Sequence, residues 1–211
     1  MYQCAALAAI PWLRHGFGTR LSHGWLDGHP AATLKQIHSA AVVEVEGPGP
    51  AGEGDALITS ARGVWLAVRT ADCVPVILAD LRTRAVAIVH SGWRGTAAEV
   101  TASAVEAMAA RFGTEPEDLA VAIGPAIGRC CYEVSREVAG QFTRWLGEPG
   151  QGVKAHLDLE EAIVRQLAGL GVVSSRITRA RACTHCDGVR FESYRRDGDR
   201  SGRMVSAVMV V

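Results

Sequence analysis

Three side chains in this chain are of the kind that binds a transition metal: His38, Cys73 and His90, each beside the end of an apolar run. Two imidazoles and one thiolate suit zinc, and a set of three leaves the fourth tetrahedral position to water or substrate, the catalytic pattern rather than the structural one. Their separations, 35 and 17 residues, match no short local metal motif. Taken singly, Cys73 reads as a small buried apolar residue and His90 as a hydrogen-bonded strand-end histidine. The same residues also fit a hydrolase in which Cys73 is the nucleophile, His90 its base, and Asp72 or another carboxylate orients the imidazole. His38 separates the two readings, because the zinc site needs it and the hydrolase has no obligatory use for it.

Cysteine supplies a second candidate. Six are present: Cys4, Cys73, the neighbours Cys130 and Cys131, and the pair Cys183 and Cys186. With no secretory signal expected, they read as thiols or ligands rather than disulfides. Cys183-Thr-His-Cys186 has the two-residue gap that lets two thiolates meet one ion or form a redox pair, and Cys130 and Cys131 could complete a structural zinc site. Against this, the motif lies between a strand and a loop, and vicinal cysteines chelate one ion poorly. Arg69, Arg94, Arg195 and Arg196 are available for an anionic substrate, and Thr19 with Arg20 in GFGTR offers a hydroxyl and a guanidinium to an anion.

The elements that must position these groups centre on Gly63 to Gly95. Its apolar runs Val64 to Val68, Val74 to Leu78 and Ala85 to Val89 are short and β-branched, as buried strands are. Residues 12 to 29 read as a loop-rich entry, Lys35, Gln36 and His38 as a polar turn, Val42 to Glu46 as a strand, Pro48 to Gly54 as a loop and residues 55 to 60 as the next strand. Thr96 and Glu99 form a capping pattern that predicts a helix running to Gly113, with its amino end and Arg94 facing an anion such as phosphate. A strand at 119 to 124, a helix through Val138, Phe142, Trp145 and Leu146, and a third helix capped by Asp158 with Glu161 and stopped by Gly171 follow. Met204 to Val211 closes the chain as a strand. Strands predominate early and helices late, which predicts a mixed-sheet α/β sandwich rather than an alternating parallel fold.

Lys plus Arg and Asp plus Glu are both 22, so no broad steering of nucleic acid or anionic membrane is expected. No run approaches the roughly 20 apolar residues of a membrane span. The expectation is a single domain over residues 1 to 211, soluble and cytoplasmic, a monomer or small homo-oligomer.

Six ordered blocks then carry a resemblance: KQIHSA at 35 to 40, GDALIT at 54 to 59, TADCVPVIL at 70 to 78, VHSGWRGT at 89 to 96, GPAIGRCCYEV at 124 to 134, and CTHC with FESYRRDG and SGRM near the end. Together they resemble the YfiH-like laccase-domain family, first called multicopper polyphenol oxidases and now read as purine nucleoside phosphorylases with adenosine deaminase and methylthioadenosine phosphorylase activity. The resemblance implies a four-layer α/β/β/α sandwich with two mixed sheets, and His38, Cys73 and His90 as zinc ligands. Arg20, Gln36 and Arg94 fall in matching motifs near the metal.

The function expected is phosphorolysis of purine nucleosides, with Cys73, His90 and Arg94 at the reacting centre and phosphate held by Arg94, the helix amino end, and Arg20 or Lys35. Copper-dependent phenol oxidation is the alternative, though seven histidines are few for a multicopper cluster. A non-catalytic zinc-stabilised binding module is the third reading.

Overall fold

The short β-branched runs form strands, and their period-two alternation decides where the functional side chains point. The computed structural model describes residues Met1 to Val211. In chain order the strands are β1 (Leu13–Phe17), β2 (Ala31–Lys35), β3 (Val42–Glu44), β4 (Gly49–Glu53), β5 (Ala56–Thr59), β6 (Trp65–Thr70), β7 (Val74–Asp80), β8 (Val86–Ser91), β9 (Leu119–Ile123), β10 (Glu133–Ser135), β11 (Lys154–His156), β12 (Ile177–Arg179) and β13 (Met204–Val210). The helices are α1 (Ala5–Ala8), α2 (Trp93–Ala97), α3 (Val100–Phe112), α4 (Arg136–Gly140), α5 (Thr143–Leu146), α6 (Leu159–Gly169) and α7 (Tyr194–Asp197). None is long and apolar enough to cross a membrane.

Two mixed sheets carry the fold, as expected: one in the order β1-β13-β6-β2-β4, the other β12-β9-β7-β8-β5-β3. In the second sheet, each neighbouring pair in the run β5-β8-β7-β9 is antiparallel, and β3 and β12 join its edges in parallel. Successive side chains of a strand face opposite sides, so Val76 and Leu78 of β7 and Ala87 and Val89 of β8 face α3 and α6. Ile77 and Ala79, with Val86 and Ile88, face the first sheet, where they meet Leu66, Val68 and Val208. Each fully buried Val, Leu or Ile side chain among them contributes about 1.5–3 kcal/mol. Helices α2 to α6 gather outside the six-stranded sheet, while Leu7 of α1 packs into the core between the sheets. Outside the five-stranded sheet the contact comes from the loop of residues 18–30, where Trp25 packs edge-on against Trp65 at 5.8 Å and donates from Nε1 to Val205 O at 2.9 Å.

Several local expectations change. Residues 12 to 29, expected as a loop-rich entry, contain β1, held antiparallel against β13. The Pro- and Gly-rich segment after β3 contains β4, which lies at a sheet edge, where Pro50 deprives no neighbour of a ladder hydrogen bond. Thr96 and Glu99 do not cap one long helix: the Thr96 hydroxyl is buried against Ser91 Oγ and Gly92 O, Glu99 adopts φ +61°, and the chain breaks there into α2 and α3. The helix expected through Val138 to Leu146 is likewise two short ones, α4 and α5. Asp158 does cap α6, accepting from Glu161 N at 2.9 Å.

The segment after β12 is tied back to the entry by Arg20, whose guanidinium donates to both Glu192 oxygens at 3.1 Å and to Gly188 O at 2.9 Å. These bonds hold the buried Glu192 carboxyl below its usual range. A depressed carboxyl stabilises the fold above its unfolded value of about 4.3, and the contribution is lost as pH falls through the folded value. The melting temperature of wild type should therefore exceed that of Glu192→Gln near neutral pH, and the gap should close on acidification below about pH 4. A pH series of thermal melts checks it.

Candidate functional site

Alternation and register build the centre of the site. Antiparallel pairing sets Ala56 opposite Val89, so Asp55 falls opposite His90, and His90 N donates to Asp55 O at 2.7 Å. Asp55 shares its face with Leu57, and His90 with Ile88, so both side chains emerge from the inter-sheet face at the strand ends. There His90 Nδ1 meets Asp55 Oδ1 at 2.8 Å, both groups being buried.

The same carboxylate folds the turn that follows β2. Asp55 accepts from His38 N at 3.0 Å, from Ser39 N at 2.6 Å, from Ser39 Oγ at 2.8 Å and from Ile37 N at 3.3 Å. His38 itself sits at φ +60°. Its ring stands edge-on to that of His90, with centroids 4.9 Å apart. Cys73 arrives from the turn before β7, after Asp72 at φ +85°. Asp72 accepts from Thr184 Oγ1 at 2.6 Å and from Arg195 N at 2.7 Å. Asp72 therefore shapes the Cys73 turn, and the carboxylate that orients His90 is Asp55.

Burial opposes charge on Asp55, yet hydrogen bonds from His90, Ser39 and His38 hold its carboxyl at about 2. An ionised carboxylate only accepts, so His90 Nδ1 carries the proton and Nε2 turns to the other donors. Burial pushes the Cys73 thiol up, but His38 and His90 outweigh it and bring it down to about 7. Burial likewise pushes His90 down, and Asp55 and Cys73 raise it to about 9. The cluster therefore favours an anionic sulfur, the form that ligates and attacks. Donor atoms of His38, Cys73 and His90 all lie within 4.8 Å of one another. Borderline-soft donors at that spacing, with a carboxylate behind one imidazole, fit a transition metal.

The donors open onto a cleft of about 850 Å³ lined also by Gln36, Arg69, Tyr194, Asp199 and Arg203. Gln36 is held in place by Arg69, donating to its O and accepting from its N at 2.8 Å each. The other expected anion contacts lie elsewhere. Arg20 is committed to Glu192 and Gly188, as described above. Lys35 ends β2 and pairs with Glu53 at 2.8 Å. Arg94 is outside the cleft lining, exposed and stacked on Trp93 at 4.4 Å. It lies in the first turn of a helix of only five residues, too short to act as an anion-binding helix end. Sequence reasoning gave no role to Asp55, Gly92, Tyr194 or Arg203. For Asp55 the one available signal was an acidic residue placed directly before a buried apolar strand.

The family described as multi-copper polyphenol oxidoreductase laccase matches residues 20–211. A protein of Bacteroides thetaiotaomicron named purine nucleoside phosphorylase is 39% identical over 163 residues, covering 74% of this chain and 60% of its own length. Adenosine deaminase RL5, from an unknown prokaryotic organism, is 36% identical, covering 73% of this chain and 61% of its own length. This chain thus spans about three fifths of either relative. The crystal structure of YlmD from Geobacillus stearothermophilus superposes with a TM-score of 0.85 at 28% identity, covering 95% of this chain and 93% of the other. The match over residues 20–211, with relatives at this identity and a superposing crystal structure, shows that this chain belongs to the multi-copper polyphenol oxidoreductase laccase family.

Proposed function

We propose that this protein is a zinc-dependent purine nucleoside phosphorylase, acting on adenosine, inosine, guanosine or methylthioadenosine, and that the same centre deaminates adenosine. The observation that carries the reading is the convergence of His38, Cys73 and His90 on the cleft that also presents Arg69 and Arg203. The names of the two relatives support the two activities. Zinc held by His38, Cys73 and His90 would supply Lewis-acid polarisation at neutral pH. Only two of the chain's seven histidines join such a cluster, fewer than a multicopper centre requires, which favours zinc over copper.

The chain's own groups have definable roles. Arg69 and Arg203 bind phosphate, replacing the expected Arg20 and Lys35; Gln36 fixes the backbone from which Arg69 extends. Tyr194, with Leu34 and Ala71, offers apolar surface to a purine. In phosphorolysis a phosphate oxygen bonds to ribose C1′ as the bond from C1′ to the purine nitrogen breaks. The electron pair leaves with the base, which takes up a proton. Holding phosphate in line with that bond is the guanidinium groups' contribution. One observation favours a second reading: Asp55, His90 and Cys73 stand in the order of a carboxylate–imidazole–thiol hydrolase. Stripping zinc would abolish phosphorolysis and leave such a hydrolase active.

Gly92 makes the cluster sterically possible. Its φ of −80° suits any residue, but an added Cβ would lie 2.9 Å from Cys73 Sγ and 3.0 Å from His38 Cδ2.

Incubated with adenosine or inosine and phosphate, the purified protein should release base and ribose 1-phosphate, and Cys73→Ala should abolish this; full turnover in that variant, or none by the zinc-loaded wild type, sinks the proposal. Arg69→Ala should raise the phosphate KM by about tenfold with a smaller effect on kcat. Gly92→Ala should weaken zinc affinity by about 10–100-fold in chelator competition.

A further inference from the structure

Beside this site two loops meet and bring four of the six cysteines together. An isolated bridge pairs Ala126 with Cys183, and Thr184 N donates to Ala126 O at 3.0 Å. We propose that Cys130, Cys131, Cys183 and Cys186 form a second zinc site, structural in kind and separate from His38, Cys73 and His90.

The four sulfurs all lie within 4.8 Å of one another. Cys186 Sγ is 3.3 Å from Cys131 Sγ and 3.7 Å from Cys130 Sγ. A tetrahedral ion with bonds of about 2.3 Å sets its sulfurs about 3.8 Å apart, so the 3.7 Å pair stands at coordination spacing, the 3.3 Å pair would open slightly on binding, and the upper limit of 4.8 Å keeps the others within reach of one ion. A set of four thiolates is closed, leaving no position for substrate, which is the structural pattern. The objection to vicinal cysteines is met by the backbone. Cys131 N donates to Gly128 O at 2.9 Å, closing a turn that brings both neighbouring sulfurs to Cys186.

Gly128 contributes again. Its N–H donates to Cys183 Sγ at 3.2 Å, and a Cβ there would lie 3.3 Å from Cys130 Sγ. Four adjacent thiols cannot all ionise unaided, because like charges repel. A divalent cation removes that barrier, each thiol passing its proton to solvent as its sulfur binds, with no change of oxidation state. The adjoining cavity of about 400 Å³ is lined by Arg129, Arg179 and Arg181 against Asp158 and Glu160, a net positive surround for a tetrathiolate.

The site's effect is mechanical. Thr184, between the two cysteines of the pair, donates to Asp72, and Ile127 N donates to Asp72 O at 2.9 Å. Clamping the two loops thus fixes the residue that precedes Cys73.

Elemental analysis of protein purified under reducing conditions without chelator tests this. Wild type should carry two zinc ions per chain, and Cys186→Ser and Cys73→Ala one each. X-ray absorption of the zinc left in Cys73→Ala should report four sulfur neighbours at about 2.3 Å. That measurement stands whether or not Cys186→Ser folds. A single ion in wild type that survives Cys73→Ala would uphold the four-cysteine site and remove zinc from the cleft. A single ion lost in Cys73→Ala, or a mass lower by two hydrogens revealing a disulfide among the four cysteines, would overturn the proposal.

Discussion

Asp55 is a fully buried carboxylate, and a buried charge is tolerated only when its oxygens are filled with donors. That requirement organises the site. Its two oxygens gather a ring nitrogen from β8 and three backbone amides and a hydroxyl from the turn after β2. One residue therefore holds two of the three candidate ligands in mutual register. Removing its charge while keeping its shape would leave His90 free to take the other tautomer and the His38 turn without its anchor.

The two sheets make this arrangement rigid. β5 and β8 are central neighbours in one sheet, buried between α3 and α6 on one side and the second sheet on the other. Close packing on both faces denies the strand ends the freedom to shift by the fraction of an ångström that would separate ring from carboxylate. Variable parts of the cleft are carried by segments outside that core: Gln36 and Arg69 at strand ends of the five-stranded sheet, Tyr194 and Arg203 near the chain's close.

How much of this was legible depended on the distance over which each interaction acts. The capping of α6 by Asp158 spans three residues and was readable. The Thr96 pattern is equally local, but its hydroxyl found buried partners in Ser91 and Gly92, and tertiary contact prevailed over the local signal. Arg20 read as an anion contact because its acid, Glu192, lies 172 residues away. β4 was hidden by Pro50 and its glycines, residues that signal loop everywhere except at a sheet edge. His38, Cys73 and His90 were nameable from residue type and resemblance. Asp55 was not, since its facing depends on a strand register that one-dimensional spacing leaves undefined. The four-cysteine cluster was visible only as two separate pairs, and the vicinal pair argued against itself until the turn at Gly128 was known.

His38 and Asp72 both hold left-handed backbone, a conformation costing a residue other than glycine about 1–3 kcal/mol. Neither strain is relieved locally; Asp55 and Thr184 hold the two turns in place from outside. The folded chain has thus already met the conformational cost of presenting its donors before any ligand arrives. Binding then spends little on ordering the protein, and affinity is governed by the donors themselves rather than by a search for the geometry that brings them together.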